Sequence, residues 1–296
     1  MRVKDDYLAR ALRGEEFLLF DGGFGTMLQA RGLSVPGKTA DELCVTNPEA
    51  IADIHRAYVE AGAQVITTNT FNTSTRALAA QGLPYTVEQI YAAAAQCARD
   101  GGAPYVAGDL GPIGEFVEPY GDVEEDEAYE LFARNAQAAA SAGCDLLVIE
   151  TMMDLNEALL AVRAAGENCD LPIFATMSFM ESGRTLFGVT PEQAAAALVE
   201  AGASVVGMNC SVGPEQALPV AQAYAAALGS TPLIVQPNAG LPDMSTGEAV
   251  YNCPPEEFVA AVEALVDAGA TVLGGCCGTT PDHIAAVAKM LEQKNL

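Results

Sequence analysis

Eight short, β-rich apolar runs alternate with longer Ala/Leu/Glu-rich stretches of helical period along this 296-residue chain. The runs are Phe17–Phe20, Val65–Asn69, Tyr105–Gly108, Leu146–Glu150, Ile173–Ser178, Val205–Asn209, Leu233–Gln236 and Thr271–Gly275. The helical stretches include Pro48–Ala61, Thr86–Asp100, Glu125–Ala142, Leu155–Gly166, Pro191–Ala201, Pro214–Leu228, Pro255–Ala268 and Pro281–Gln293. Runs this uniformly apolar suit parallel strands buried on both faces, and parallel strands need a crossover between them. Eight such units predict an α/β fold of the (β/α)8 barrel type, a single domain over residues 1–296. Punctuation agrees. Pro48, Pro191, Pro214, Pro255 and Pro281 stand where a first helical turn tolerates a missing N–H, and Gly62, Gly143, Gly202 and Gly269 follow last turns as C-caps. A doubly wound open sheet is the alternative. Its early phosphate loop is not found, because Asp21-Gly22-Gly23-Phe24-Gly25-Thr26 is neither G-x-G-x-x-G nor a P-loop with its lysine.

A formal net charge of −25 argues against a nucleic-acid partner, since such a surface repels phosphate backbones. The acidic run Glu124-Glu125-Asp126-Glu127 reads as a helix start, where carboxylates suit the positive end of the dipole. Met1–Asp6 lacks the apolar segment of a signal peptide. No apolar stretch approaches the roughly 20 residues of a membrane span. The expectation is a soluble, cytoplasmic protein with no membrane partner and with its eight cysteines reduced.

A barrel places its chemistry at the C-terminal ends of its strands. The residues found there are Asp21, Asn69, Asp109, Glu150, Cys210, Asn238 and the adjacent pair Cys276-Cys277 in Gly274-Gly275-Cys276-Cys277-Gly278. Vicinal cysteines are poorly placed to bond each other. They are well placed to aim two thiolates at one soft metal ion, with Cys210 as a third ligand. Three thiolates on Zn²⁺ leave one open position and a net negative complex. Such a site is a poor activator of water and suits a fourth, exogenous thiolate, which points to thiol alkylation. Two anions beside it, Asp21 and Glu150, would suit a substrate bearing an ammonium group. Asp21 is equally readable as a cap of the following turn, whereas Glu150, closing Leu146-Leu147-Val148-Ile149, needs a partner if buried. The amides of Gly22 and Gly23 suit a small anion nest. His55 and His283 read as helix packing or surface. Cys44, Cys97, Cys144, Cys169 and Cys253 show no partner pattern.

The segments Asp21-Gly22-Gly23-Phe24-Gly25-Thr26, Thr68-Asn69-Thr70-Phe71, Gly108-Asp109-Leu110-Gly111-Pro112, Gly207-Met208-Asn209-Cys210, Pro237-Asn238-Ala239-Gly240 and Gly274-Gly275-Cys276-Cys277-Gly278 resemble those of the zinc-dependent homocysteine S-methyltransferases. The order of motifs is kept over nearly the whole chain. Within that family the chain looks most like the N-terminal homocysteine-binding barrel of the cobalamin-dependent methionine synthases. The resemblance implies Zn²⁺ on Cys210, Cys276 and Cys277, with the L-homocysteine sulfur as fourth ligand and nucleophile. Asn238 matches a position that fills the fourth place without substrate. Asp21 and Glu150 match positions that bind the amino group, and Gly22, Gly23 and Asn69 complete the implied substrate site. The implied product is methionine.

No D-x-H-x-x-G cobalamin signature is found, and Asp282-His283-Ile284 is not one. The chain is therefore expected to be an excised barrel or a stand-alone form. It would take its methyl group from methylcobalamin on a partner protein or module. The alternatives are direct use of S-methylmethionine or betaine, or a non-catalytic zinc- and homocysteine-binding module that docks on a corrinoid protein.

Overall fold

In a computed structural model of the chain, described over residues 1–33, 39–245 and 249–294, the eight runs become eight parallel strands. The end of the expected 1–296 unit, Leu296, lies outside the described residues. The strands are β1 (Leu18–Leu19), β2 (Val65–Thr67), β3 (Tyr105–Leu110), β4 (Leu146–Met152), β5 (Ile173–Met177), β6 (Val205–Asn209), β7 (Leu233–Gln236) and β8 (Ala270–Leu273). The helices are α1 (Asp6–Ala11), α2 (Phe24–Ala30), α3 (Leu43–Thr46), α4 (Pro48–Glu60), α5 (Thr75–Ala80), α6 (Val87–Asp100), α7 (Glu125–Ser141), α8 (Leu155–Asn168), α9 (Pro191–Glu200), α10 (Pro214–Leu228), α11 (Pro255–Asp267) and α12 (Pro281–Lys294).

The sheet order β1-β8-β7-β6-β5-β4-β3-β2 is a ring cut between β1 and β2. The cut is bridged by Phe20 pairing with Val65, by Gln64 N–H on the Leu19 carbonyl at 2.7 Å, and by Asp21 N–H on the Val65 carbonyl at 3.0 Å. The chain is a (β/α)8 barrel, and the open-sheet alternative falls.

Side chains alternate across each strand, so one set fills the barrel and the other faces the helices. Leu18, Phe20, Val65, Tyr105, Ala107, Leu146, Val148, Phe174, Val205, Ile234 and Val272 form the interior cluster. The outer faces join the helices in one continuous core. The N-terminal end is plugged by α1, whose Leu8 and Ala11 enter the interior cluster. Asp5 caps that helix through Leu8 N–H at 2.9 Å and accepts the Tyr105 hydroxyl at 3.0 Å. Stepping two residues from interior positions toward the C-terminal end gives Thr67, Asp109, Glu150, Thr176, Asn209 (from Val205 past Gly207), Gln236 and Cys276 (from Val272 past Gly274). This register supplies the polar floor of the mouth.

The prolines stand at helix starts as expected. Gly62, Gly143, Gly202 and Gly269 have φ of 101°, 81°, 105° and 107°, a region that disfavours a Cβ. Helices α1, α2, α3 and α5 were not foreseen. At four to seven residues they are too short to show a helical period. No helix among the described residues is long and apolar enough to cross a membrane.

Candidate active site

The sulfurs of Cys210, Cys276 and Cys277 all lie within 4.8 Å of one another at the C-terminal mouth, and Cys210 and Cys277 are 3.9 Å apart. The local backbone explains the convergence. Cys210 and Ser211 follow β6 with φ of 61° and 64°, a left-handed pair that turns the chain sharply into the mouth. Each non-glycine residue so placed costs about 1–3 kcal/mol, a strain that surrounding contacts must hold. Cys210 N–H bonds the Gln236 carbonyl at 3.0 Å. The pair after β8 is stitched on both sides: Cys276 N–H bonds the Pro237 carbonyl at 2.9 Å, and Ala239 N–H bonds the Cys277 carbonyl at 2.9 Å. Gly275 N–H bonds the Asp21 carbonyl at 3.0 Å, and the Thr279 hydroxyl bonds the Cys276 carbonyl at 2.7 Å. Gly275 has to be glycine, because a Cβ there would press into the Thr279 side chain at 2.7 Å from its Cβ.

This donor set fits a soft cation. Tetrahedral ligation with Zn–S near 2.3 Å requires sulfurs about 3.8 Å apart, close to the observed 3.9 Å pair. Hydrogen bonds from Cys210 and Cys276, joined by the Tyr251 hydroxyl, pull the Cys277 thiol down to about 3. The same bonds and burial push Cys276 well above its ordinary value. For Cys210, the downward pull of Cys276 is outweighed by Cys277 and burial, which take it to about 12. Thiolates packed this closely repel one another, and a bound cation would relieve that repulsion.

Beside the sulfurs opens a cavity of about 420 Å³. Asp21, Asp41, Asp109 and Glu150 line it, together with Thr67, Thr68, Asn69, Thr151, Gln236 and the Gly22–Thr26 turn, and among the described residues no Lys, Arg or His does. Asp21 is 3% exposed and held at both oxygens: Thr67 N–H and the Thr67 hydroxyl each donate at 2.9 Å. Burial still raises it to about 7. It is not a helix cap, since α2 begins at Phe24 with Gly23 as its N-cap and no side-chain capping bond.

Glu150 reaches the mouth through a bulge in β4, where the register with β5 slips between Ile149 and Met152 and Thr151 takes φ 62°. Burial, then the charges of Asp21 and Cys277, raise Glu150 to about 8. The fully buried Asn209 holds this bulge. Its Oδ1 accepts Thr151 N–H and the Thr176 hydroxyl, both at 2.7 Å. Its Nδ2 donates to Thr151 Oγ1 at 2.8 Å and to Glu150 Oε2 at 3.4 Å, and lies 3.9 Å from the Cys276 sulfur.

The expected residues are placed as follows. Asn69 lines the cavity, its amide donating to the Ala40 carbonyl at 2.9 Å. Gly22 and Gly23 line it too, but Gly23 N–H is already bonded to Thr279 Oγ1 at 2.9 Å, so that amide does not serve an anion nest. Asn238 is 2% exposed and is not among the lining residues; its Oδ1 is buried without a partner among the described residues. His55 and His283 are both buried, which removes the surface reading and leaves packing against Phe24 and Phe258. Sequence reasoning passed over Asp41, Thr67, Thr151, Asn209 and Gln236, and left Asp109 without a role. The alternation of two carried from the interior residues would have found Thr67, Asn209 and Gln236. Thr151 depends on the bulge and leaves no such trace.

A sequence model of the homocysteine S-methyltransferase family matches residues 18–291. The methionine synthase of Mycobacterium tuberculosis is 30% identical over 293 residues. That alignment takes in 93% of this chain but 24% of the relative, so the chain spans about a quarter of that protein's length. Among solved structures, the oxidized form of the homocysteine methyltransferase MmuM from Escherichia coli aligns with TM-score 0.82 and 24% identity, covering 97% of this chain and 100% of that one. Its metallated form aligns at 0.81 and 24%, over 96% and 100%. At that identity these structures speak for the fold.

Proposed function

The chain belongs to the homocysteine S-methyltransferase family, and from that premise we propose that it methylates the thiol of L-homocysteine to give methionine, with Zn²⁺ held by Cys210, Cys276 and Cys277. The observation that carries this reading is the three-sulfur cluster opening onto a cavity lined by carboxyls. When bound, the zinc would take the substrate sulfur as its fourth ligand and keep it deprotonated near neutral pH while still nucleophilic.

The rest falls to the chain's own residues. Asp21, fixed by Thr67, and Glu150, aimed by the β4 bulge, would bind the substrate ammonium. Attraction at this depth is strong because little water screens it. Asn209 ties Glu150 to the neighbourhood of Cys276, so the ammonium and sulfur subsites keep a fixed separation. Fixing both ends of a small substrate leaves its sulfur one direction of attack, outward through the mouth toward the donor. Asn69 and the Gly22 turn, which line the same cavity, would complete its wall. Asn238, with its unpartnered Oδ1, is the group we place at the fourth position in the absence of substrate.

For the donor we propose a methylcorrinoid on a separate protein or module, in keeping with the 30% match to a methionine synthase of which the chain covers 24%. A small donor such as S-methylmethionine or betaine is the second reading. Metal analysis and methyl-transfer assays on the wild type and on Cys210→Ser, Cys276→Ser and Cys277→Ser test the core of the proposal. Each substitution should lower zinc content and abolish transfer from every donor. Three variants that keep zinc and activity would refute it. Comparing methylcobalamin, S-methylmethionine and betaine separates the donors. Homocysteine binding with transfer from none of them would make the chain a binding module.

A further inference from the structure

Among the described residues four carboxyls line the cavity, and three are held by the protein. Thr67 grips Asp21 twice. Asp41 accepts the Thr73 hydroxyl at 2.6 Å and Asn72 N–H at 3.1 Å. Glu150 accepts the Asn209 amide at 3.4 Å. The fourth, Asp109, differs. It is 3% exposed, its Oδ1 is buried without a partner, and no donor among the described residues reaches its carboxyl.

Its main chain is tightly clamped. Asp109 N–H bonds Thr68 Oγ1 at 3.0 Å, and its carbonyl accepts the Thr70 hydroxyl at 2.9 Å and the Tyr91 hydroxyl at 2.6 Å. The backbone is therefore immobilised while the side chain points inward, following Tyr105 and Ala107 of the interior cluster. Buried polar atoms are paired in the great majority of cases, and leaving one bare is costly. A carboxyl that only braced the fold would have a partner, as Asp41 does. Asp109 has a cavity in front of it instead.

On the reading that the substrate is an amino acid, its ammonium brings three N–H donors into a space walled by strand ends β1, β3 and β4. Asp21 and Glu150 offer acceptors from two of those walls. We infer that Asp109 supplies the third acceptor and is a specificity-determining residue for the ammonium group. Three buried carboxyls facing one another cannot all be ionised without a cation. Burial and the charges of Glu150, Asp41 and Asp21 accordingly push Asp109 far above its usual range. Its carbonyl oxygen accepts a hydrogen bond in either protonation state. The arrangement favours an amino thiol over one that lacks the amino group, because only the amino thiol gives Asp109 a partner.

The test is calorimetric. Zinc-loaded wild type, Asp109→Ala and Asp109→Asn are titrated with L-homocysteine and with 4-sulfanylbutanoate, the same thiol acid without its amino group. Loss of one hydrogen bond to a charged partner predicts homocysteine binding weakened about tenfold or more in Asp109→Ala. Binding of the des-amino thiol should change less than about threefold. Asp109→Asn keeps size and an acceptor oxygen, so it should fall between wild type and Asp109→Ala for homocysteine and match wild type for the des-amino thiol. It carries the same comparison if the alanine variant does not fold. Equal changes for the two ligands, including none, overturn the inference while leaving the proposed function standing. A wild type that binds neither thiol overturns the proposed function, and the role of Asp109 with it.

Discussion

Asn209→Ala should weaken the fold and the site together. The side chain is fully buried and joins β6 to the β4 bulge and to β5. Its removal leaves Thr151 N–H and the Thr176 hydroxyl without their 2.7 Å acceptor. Each buried group left bare costs about 1–3 kcal/mol. The expected destabilisation is about 2–5 kcal/mol, toward the lower figure if water from the cavity reaches either group. The second effect is on aim. Thr151 sits at φ 62°, and its main chain is held there by Asn209. A left-handed β-branched residue stores about 1–2 kcal/mol, which is released once the amide acceptor is gone. The bulge then relaxes and Glu150 loses its fixed direction. Homocysteine affinity should fall about tenfold, the equivalent of about 1.4 kcal/mol. Urea unfolding of the metal-free protein measures the first effect, and calorimetry of the zinc-loaded protein the second. Thr176→Val, which removes one partner and leaves Asn209 in place, should cost about 1 kcal/mol and leave affinity nearly unchanged. An Asn209→Ala protein within about 0.5 kcal/mol of wild type, with unaltered homocysteine binding, would refute the reasoning.

Gly207→Ala should prevent closure of the barrel, because its Cβ would overlap the Ile234 carbonyl on β7, with Ile234 N only 3.0 Å away. We expect a loss of about 4 kcal/mol or more, read as insoluble expression or early unfolding. Glu157 is 5% exposed, accepts Ile113 N–H at 2.7 Å and is raised by burial to about 7. Its folded value lies above its unfolded one, so its contribution is complete below the unfolded value and is lost as pH rises through 7. That loss amounts to about 3 kcal/mol between pH 4.5 and 8. Glu157→Gln, an uncharged mimic of the protonated acid, should flatten that part of the stability-against-pH curve in urea melts at pH 5 and pH 8. An identical slope in both proteins would contradict the assignment.

The barrel was legible because it rests on alternating apolar runs and on Pro and Gly at helix ends, both local signals. Gly62, Gly143, Gly202 and Gly269 took the positive φ their positions demanded. The sulfur cluster was legible because Cys276-Cys277 and Cys210 end strands whose order in a closed barrel is fixed. What remained hidden depends on contacts far apart in sequence. Asp21 as a carboxylate held by Thr67, rather than a cap, follows from the β1–β2 closure. The Gly23 amide is taken by Thr279, 256 residues away. Asn209 reads as one more strand residue beside Cys210, and only the bulge across two strands makes it a hub. The short helices α2, α3 and α5 come from loop chemistry that carries no period.

The central claim is that three protein sulfurs hold a zinc whose fourth place belongs to the substrate. X-ray absorption at the zinc edge, with and without L-homocysteine, tests it most directly. The account predicts three sulfurs and one lighter ligand in the free protein, changing to four sulfurs near about 2.3 Å when homocysteine is added. A zinc environment that keeps three sulfurs with homocysteine bound, or a protein that binds homocysteine equally well without metal, would contradict it.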